Sequence, residues 1–111
     1  MSFQETLREI LQISGIEAVI FLDAEGESVL LSGSQEPDRL KALGAYQSIL
    51  LKTDWGNGKC RTLCSVYDQA SVLTHHLKDG YFISVILSPD LPFSLAHQKL
   101  GQFYERIEEE L

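Results

Sequence analysis

Two short, almost wholly apolar segments constrain the fold more than any other feature of this chain. They read IEAVIFL at Ile16–Leu22 and YFISVIL at Tyr81–Leu87. Both are rich in β-branched and aromatic residues, which favour strands. Alternate residues of a strand, such as Ile20 and Phe21, point to opposite faces. Because both faces are apolar, both must be covered, so we expect these strands to lie side by side at the centre of a sheet.

Turn residues and apolar periodicity divide the remainder of the chain into three helices and three more strands. The other predicted strands are Ser28–Leu31, Cys60–Tyr67 and Ala70–Leu77. The predicted helices cover residues 2–15, residues 37–53, and a C-terminal segment capped by Ser94 with apolar residues at Ala96, Leu100, Phe103, Ile107 and Leu111. The order αββαβββα predicts a single α/β (α+β) domain over residues 1–111. Its five-stranded antiparallel sheet has helices on both faces and Cys60–Tyr67 on an edge.

Composition excludes several classes of function. The formal net charge is −7, and an acidic surface repels phosphate backbones, which argues against nucleic acid as a partner. No apolar run approaches the ~18–20 residues that span a bilayer. The N-terminus is acidic and amphipathic, unlike a signal peptide, so a cytoplasmic protein without membrane insertion is predicted. Two cysteines do not make a disulfide framework.

The element order and three stretches of sequence resemble the roadblock/LC7 family, a longin-like and profilin-like fold. GIEAVIFLDAEGESVLLSG resembles the family's first hairpin, and LTHHLKDGYFISVILSPD resembles its fourth and fifth strands. LPFSLAHQKLGQFYERI is similar to its closing helix. The family includes dynein light chains of the roadblock type and bacterial proteins that regulate small GTPases. The resemblance extends over nearly the whole chain.

The resemblance implies a binding role. Family members are not enzymes in their own right. They form homodimers by pairing their edge strands and packing their second helices, and the dimer binds partners that are often Ras-like GTPases. Some bacterial members act as GTPase-activating proteins without contributing a catalytic arginine. For this chain we therefore expect a homodimeric scaffold or regulator of a small Ras-like GTPase, with no cofactor, no metal and no catalytic residue.

Candidate contact residues come from the facing of the second helix and from the edge position of Cys60–Tyr67. The apolar surface of that helix is wider than the ~100° arc that one core contact needs, which indicates a second contact. The edge strand has no proline and little charge, so it either pairs with its own copy or is covered by a loop. Trp55 either covers the helix end or anchors a partner. The predicted contact residues are Leu40, Leu43, Tyr46, Gln47, Leu50, Trp55, Arg61, Leu63 and Ser65.

The adjacent histidines His75 and His76 raise the alternative of a metal or thiol enzyme. Neighbouring residues on a strand point to opposite faces, so these two cannot chelate one metal. With a turn centred near Asp68 and Gln69, Cys60, Cys64 and His75 are predicted to share a face. The two cysteines would then be ~13 Å apart along the strand, too far for one zinc ion. An enzyme that uses these three residues therefore ranks below a binding module.

A small-molecule sensor domain is the other alternative, because profilin-like sheets can hold a ligand between sheet and helix. The bulky residues Phe21, Phe82 and Phe103 predict instead that this space is filled by side chains.

Overall fold

The computed structural model describes residues 3–33, 36–52 and 60–111. Its helices are α1 (Phe3–Leu11), α2 (Pro37–Lys52) and α3 (Phe93–Glu110). Its strands are β1 (Ile16–Leu22), β2 (Ser28–Gly33), β3 (Thr62–Val66), β4 (Ser71–His76) and β5 (Phe82–Leu87). A 3₁₀ turn at Lys78–Gly80 connects β4 to β5. The predicted order αββαβββα is confirmed.

The five strands form one antiparallel sheet in the order β2-β1-β5-β4-β3. The apolar strands β1 and β5 pair at its centre, with Val19 opposite Val85 and Phe21 opposite Ile83. All residues of β5 are buried, and in β1 only Glu17 is not fully buried. The predicted adjacency of these two strands is confirmed. Its cause is that neither strand has a polar face to present to water.

Helices cover both faces of this sheet. Leu40 of α2 belongs to the same buried cluster as Ile20 of β1. On the opposite face, Ile10 of α1 and Leu100 of α3 share a cluster with Val19. The alternation of β1 therefore divides its residues between two cores. Among the described residues, no helix is both long and apolar enough to span a membrane.

Helix α2 approaches the sheet closely at Gly44. A Cβ atom at this position would lie 2.8 Å from Cδ2 of Leu22 and 3.3 Å from Cγ2 of Ile20. A glycine here lets the helix axis come nearer to the strands than a larger residue would permit. This close approach brings the polar residues in the middle of α2 into hydrogen-bonding range of β3 and β4.

Several predicted boundaries are wrong. Helix α1 ends at Leu11 rather than near Gly15, and β2 extends to Gly33, beyond the predicted Leu31. β3 begins at Thr62, later than the predicted Cys60, and ends at Val66. Helix α3 begins earlier than predicted, so Ser94 lies inside the helix and Pro92 occupies the N-cap position without a side-chain capping bond. The predicted turn is confirmed, because the Tyr67 N–H donates to the Ala70 carbonyl at 2.8 Å and closes the loop between β3 and β4.

Candidate interaction surface

Strand β3 is the last strand of the sheet, and its backbone hydrogen bonds show which residues face outward. The Arg61 carbonyl accepts the N–H of His76 at 2.8 Å, and the Tyr67 N–H donates to Ala70 at 2.8 Å. In an antiparallel ladder, residues that bond the neighbouring strand alternate with residues whose N–H and C=O point away from it. Odd-numbered residues of this strand therefore bond β4, and even-numbered residues point to the opposite edge.

The outward-pointing backbone groups belong to Thr62, Cys64 and Val66. None of these residues is charged and none is proline, so they lack the features that usually prevent edge-to-edge pairing. Val66 is 79% exposed. The loop that contains Trp55, the alternative cover for this edge, lies outside the described residues. Among the described residues, this edge of β3 has no partner strand.

A strip of exposed apolar side chains lies on the outer face of α2. Ala42 is exposed, Tyr46 is 53% exposed and Ile49 is 63% exposed. Their spacing of four and then three residues places them on one side of the helix. The predicted second face of α2 is therefore present. We call these three residues, together with Tyr67 and the outer edge of β3, the α2–β3 surface.

A groove of about 410 Å³ lies between α2 and the turn that connects β3 to β4. Its walls include Leu43 and Tyr46 from α2, and Tyr67 and Ala70 from the turn between β3 and β4. Val72 of β4 also lines it. The lining is mostly apolar, which makes the groove a place for a bulky apolar side chain rather than for an ion.

The structure separates the described contact residues into three groups. Leu40 and Gln47 are 0% exposed, and Leu40 belongs to the core beneath α2. Tyr46 and Arg61 are exposed. The half-buried residues are Leu43, Leu50, Leu63 and Ser65. Trp55 lies outside the described residues. The predicted contact residues did not include Ile49, although its helical spacing from Ala42 and Tyr46 places it on the same side of α2. They also did not include the even-numbered residues of β3.

Gln47 connects α2 to the edge of the sheet through a buried polar network. Its Nε2 atom donates to the hydroxyl oxygens of Ser65 at 3.0 Å and Tyr67 at 3.3 Å. Its Oε1 atom accepts from the Thr74 hydroxyl at 3.5 Å, and Thr74 lies 2.7 Å from the Ser84 hydroxyl. A buried amide requires such partners. The network therefore holds the edge strand in a defined position relative to α2.

The two adjacent histidines lie on opposite faces of β4, as predicted. The His75 ring stacks on Tyr104 of α3 with ring centroids 3.9 Å apart and 7° between the planes. Its Nδ1 atom lies 2.7 Å from the Thr62 hydroxyl. The His76 ring packs against Phe82, with centroids 5.0 Å apart, in the core beneath α2. His75 therefore connects β3, β4 and α3.

The pKa of His75 is lowered from 6.5 to about 4, and burial is the main cause. Charge on His97 contributes to this lowering, as do His76 and Arg61 to a smaller extent, whereas Glu108 acts in the opposite direction. His75 is therefore neutral near pH 7, and a neutral imidazole stacks on Tyr104 without introducing a charge into the interface between α3 and the sheet.

The three residues of the enzyme alternative do not come together. Cys64 and Thr62 share a face with His75, because Thr62 pairs with His75 and Cys64 with Leu73. Cys60 instead packs against the core beneath α2, so its predicted position on the same face is wrong. The reason is that Cys60 precedes β3 and does not follow its alternation.

The structure gives little support for a reactive thiol or a metal site at these residues. Burial raises the pKa of the Cys64 thiol, which disfavours the reactive thiolate. Both cysteines are free. In the part of the chain that the structure describes, no group of three or more His, Cys, Asp or Glu residues is arranged to hold a metal ion. Phe21, Phe82 and Phe103 are all buried in the two cores, as the argument against an internal ligand cavity predicted.

A five-stranded antiparallel sheet in this order, covered by α2 on one face and by α1 and α3 on the other, is the fold of the roadblock/LC7 domains. A roadblock/LC7 domain from Streptomyces avermitilis superposes with a TM-score of 0.83 at 13% sequence identity, covering 98% of this chain and 97% of that one. The predicted resemblance and the predicted fold are confirmed.

Particular proteins of this fold are also similar. The gliding protein MglB from Thermus thermophilus matches with a TM-score of 0.73 at 16% identity, covering 97% of this chain and 89% of that one. An MglB structure with a tetrameric arrangement matches with a TM-score of 0.77 at 14% identity, covering 96% of this chain and 85% of that one. No protein-family model matches the sequence, and no curated protein matches it.

Proposed function

We propose that this protein is a non-catalytic regulatory module that works as a homodimer. The observation that carries the proposal is the open edge of β3 beside an exposed apolar strip on α2. In the proposed dimer, β3 pairs antiparallel with β3 of a second copy, which extends the sheet across both subunits. The outward N–H and C=O groups of Cys64 and Val66 then find partners, whereas the Thr62 carbonyl already accepts the Cys60 thiol at 3.2 Å.

The apolar strip supplies the hydrophobic part of the proposed interface. The side chains of Tyr46 and Ile49 are more than half exposed, and large aromatic side chains in pockets are frequent energetic anchors of interfaces. The groove between α2 and the β3–β4 turn accommodates such a side chain from the second copy. Leu40 and Gln47, which are buried in their own chain, contribute by supporting this surface from below.

The proposed partner is a small Ras-like GTPase, and the proposed location is the cytoplasm. The support is the resemblance to roadblock/LC7 proteins together with the shared fold of MglB. The acidic chain, with a formal net charge of −7, disfavours nucleic acid as a partner. The separation of Cys60 from Cys64 and His75 supports a role without catalysis.

Sedimentation velocity of the purified protein tests the homodimer. We expect a dimer for the wild type and a monomer for Cys64→Pro. The proline removes an outward N–H but no bond between β3 and β4, so the subunit itself should remain folded. Tyr46→Glu should also give a monomer, because it places like charges across the interface. Leu95→Glu is the matched control, since Leu95 is 41% exposed on α3, away from α2 and β3.

Thiol cross-linking gives a second test of the same interface. In the Cys60→Ser variant, a short bismaleimide should join two chains through Cys64, because β3 strands that pair about their centre bring the two thiols together. The Cys64→Ser variant, which retains Cys60, should cross-link far less. A wild type that stays monomeric at micromolar concentrations, or equal cross-linking of both variants, would refute the dimer.

Affinity capture tests the partner. The immobilised wild type should enrich Ras-like GTPases from a lysate of the source organism when a non-hydrolysable GTP analogue is present. We expect less enrichment with GDP and a loss of enrichment with Tyr46→Glu. Absence of GTPases from every wild-type sample would refute the proposed partner without affecting the proposed dimer.

A further inference from the structure

A second groove lies on the face of the sheet opposite α2, away from β3. Its volume is about 680 Å³. It is bounded by the start of α1, the turn between β1 and β2, the 3₁₀ turn Lys78–Gly80, and the end of α3. The residues that give it its chemical character are Phe3, Phe21, Tyr81, Asp23, Asp79 and Glu110.

Three aromatic rings form the floor of this groove. The Phe3 and Phe21 ring centroids are 4.9 Å apart, and Phe21 stacks on Tyr81 at 5.3 Å with 6° between the planes. Phe21 is only 2% exposed, whereas Phe3 and Tyr81 are half-buried. Val29, which is 53% exposed, extends the apolar area along β2. The floor is therefore held in place by packing, with ring surface left accessible from outside.

The rim of the groove is negatively charged. Asp23, Asp79 and Glu110 line it, and the described lining residues include no lysine, arginine or histidine. Oδ1 of Asp23 accepts the backbone N–H groups of Glu25 and Glu27, both at 3.0 Å, which fixes that carboxylate at the rim.

The end of α3 adds to this negative potential. Its last turn contains no basic residue, and the C-terminal end of a helix carries partial negative charge that favours cations nearby. A positively charged group bound in the groove would interact favourably with this helix end.

We propose that this groove binds a basic segment of a partner protein, with a lysine or arginine side chain inserted between the carboxylates of Asp23 and Asp79 and over the aromatic floor. A cation over aromatic faces is attracted by the ring quadrupole, and the methylene stem of such a side chain packs on apolar surface. Alternating apolar residues of the segment would cover Val29. Charge complementarity decides the occupant, because an acidic segment would meet the carboxylates of Asp23 and Asp79.

This site is independent of the proposed dimer interface. The groove belongs to the α1–α3 side of the sheet near β1 and β2, whereas the α2–β3 surface lies on the other face and at the far edge. A variant that is monomeric because of Cys64→Pro should therefore still bind the basic segment.

Titration of ¹⁵N-labelled protein with the blocked peptide RLRLR, followed by NMR, tests the proposal. We expect chemical-shift changes concentrated at Phe3, Phe21 and Tyr81 and weaker binding at higher salt. The blocked peptide ELELE should not bind. Asp79→Asn should weaken RLRLR binding about two- to fivefold, the range of one exposed ion pair. Asparagine tolerates the left-handed backbone of Asp79, whose φ is 61°.

The matched control is Asp90→Asn, which removes the same charge at an exposed position outside the groove and should leave the affinity unchanged. Tyr81→Leu should weaken binding while the fold is retained. Equal weakening by Asp90→Asn, equal binding of ELELE, shifts confined to α2 and β3, or no binding at millimolar peptide would each overturn the proposal. Equal affinity for free arginine amide would also overturn it, because the proposed occupant is a polypeptide segment.

Discussion

Acidification should destabilise this protein through His75. In the folded state burial keeps the pKa of this ring at about 4, compared with 6.5 for an ordinary histidine. Below pH 6.5 the unfolded chain takes up a proton that the folded protein does not, so stability decreases as the pH falls from 6.5 to about 4. Above pH 6.5 the contribution of this group is fully present.

The magnitude follows from the difference between the two pKa values. At 1.36 kcal/mol per pKa unit, that difference corresponds to about 3 kcal/mol. The ring is only half-buried, so solvent screening reduces the expected effect to about 1–2 kcal/mol. His97, His76, Arg61 and Glu108 surround the ring, and their combined field is included in this value.

Urea unfolding at pH 7 and at pH 4.5, followed by circular dichroism, measures the effect. Carboxylates also titrate in this interval, so the relevant quantity is the difference between the wild type and His75→Phe. Phenylalanine keeps the stacking on Tyr104 but takes up no proton, and the variant should lose about 1–2 kcal/mol less stability than the wild type on acidification. His76→Phe retains His75 and should keep the wild-type loss. An identical loss in the wild type and His75→Phe would refute this account.

Three further substitutions test the packing of the fold, with stability again measured by urea unfolding. Gly33→Ala should destabilise the fold by about 2–4 kcal/mol, because φ at this position is 151° and the new Cβ would lie 2.4 Å from Cβ of Ala18. Gly101→Ala in α3 should instead stabilise the fold by about 0.5–1 kcal/mol, because a Cβ there would have nothing within 4 Å. Gln47→Leu should cost about 1–3 kcal/mol, because it leaves the Ser65 hydroxyl without its amide partner; unchanged stability would show that the buried network is dispensable.

The central architecture of the protein could be predicted from the sequence because it depends on local patterns. Two strands with apolar residues on both faces have only one favourable position, in the middle of a covered sheet. The turns near Asp68 and at Lys78–Gly80, and the periodicity of α3, are similarly local. These features predicted the element order, the pairing of β1 with β5, and the edge position of β3.

The sequence could not predict which residues of β3 direct their backbone N–H and C=O groups away from β4. Whether odd or even residues bond β4 depends on which pairs of residues in the ladder are the hydrogen-bonded ones, and both choices are compatible with the same register and the same residue pattern. The structure directs the backbone of Cys64 outward and the side chain of Ser65 toward Gln47. The predicted position of Cys60 was wrong because the alternation of side chains holds only within a strand, and Cys60 precedes β3.

The sequence by itself determined which segments are strands and helices and which of them must be buried, since these follow from residue type and spacing. Only the tertiary structure decided that Leu40 and Gln47 face inward while Tyr46 and Ile49 face outward. All four lie on a helix whose apolar residues are spread around much of its circumference, and their facing depends on where Gly44 lets α2 contact the sheet. It also decided that Phe3, Asp23 and Asp79 meet in one groove, because residues distant in the chain become neighbours only when α1, the β1–β2 turn and the 3₁₀ turn converge.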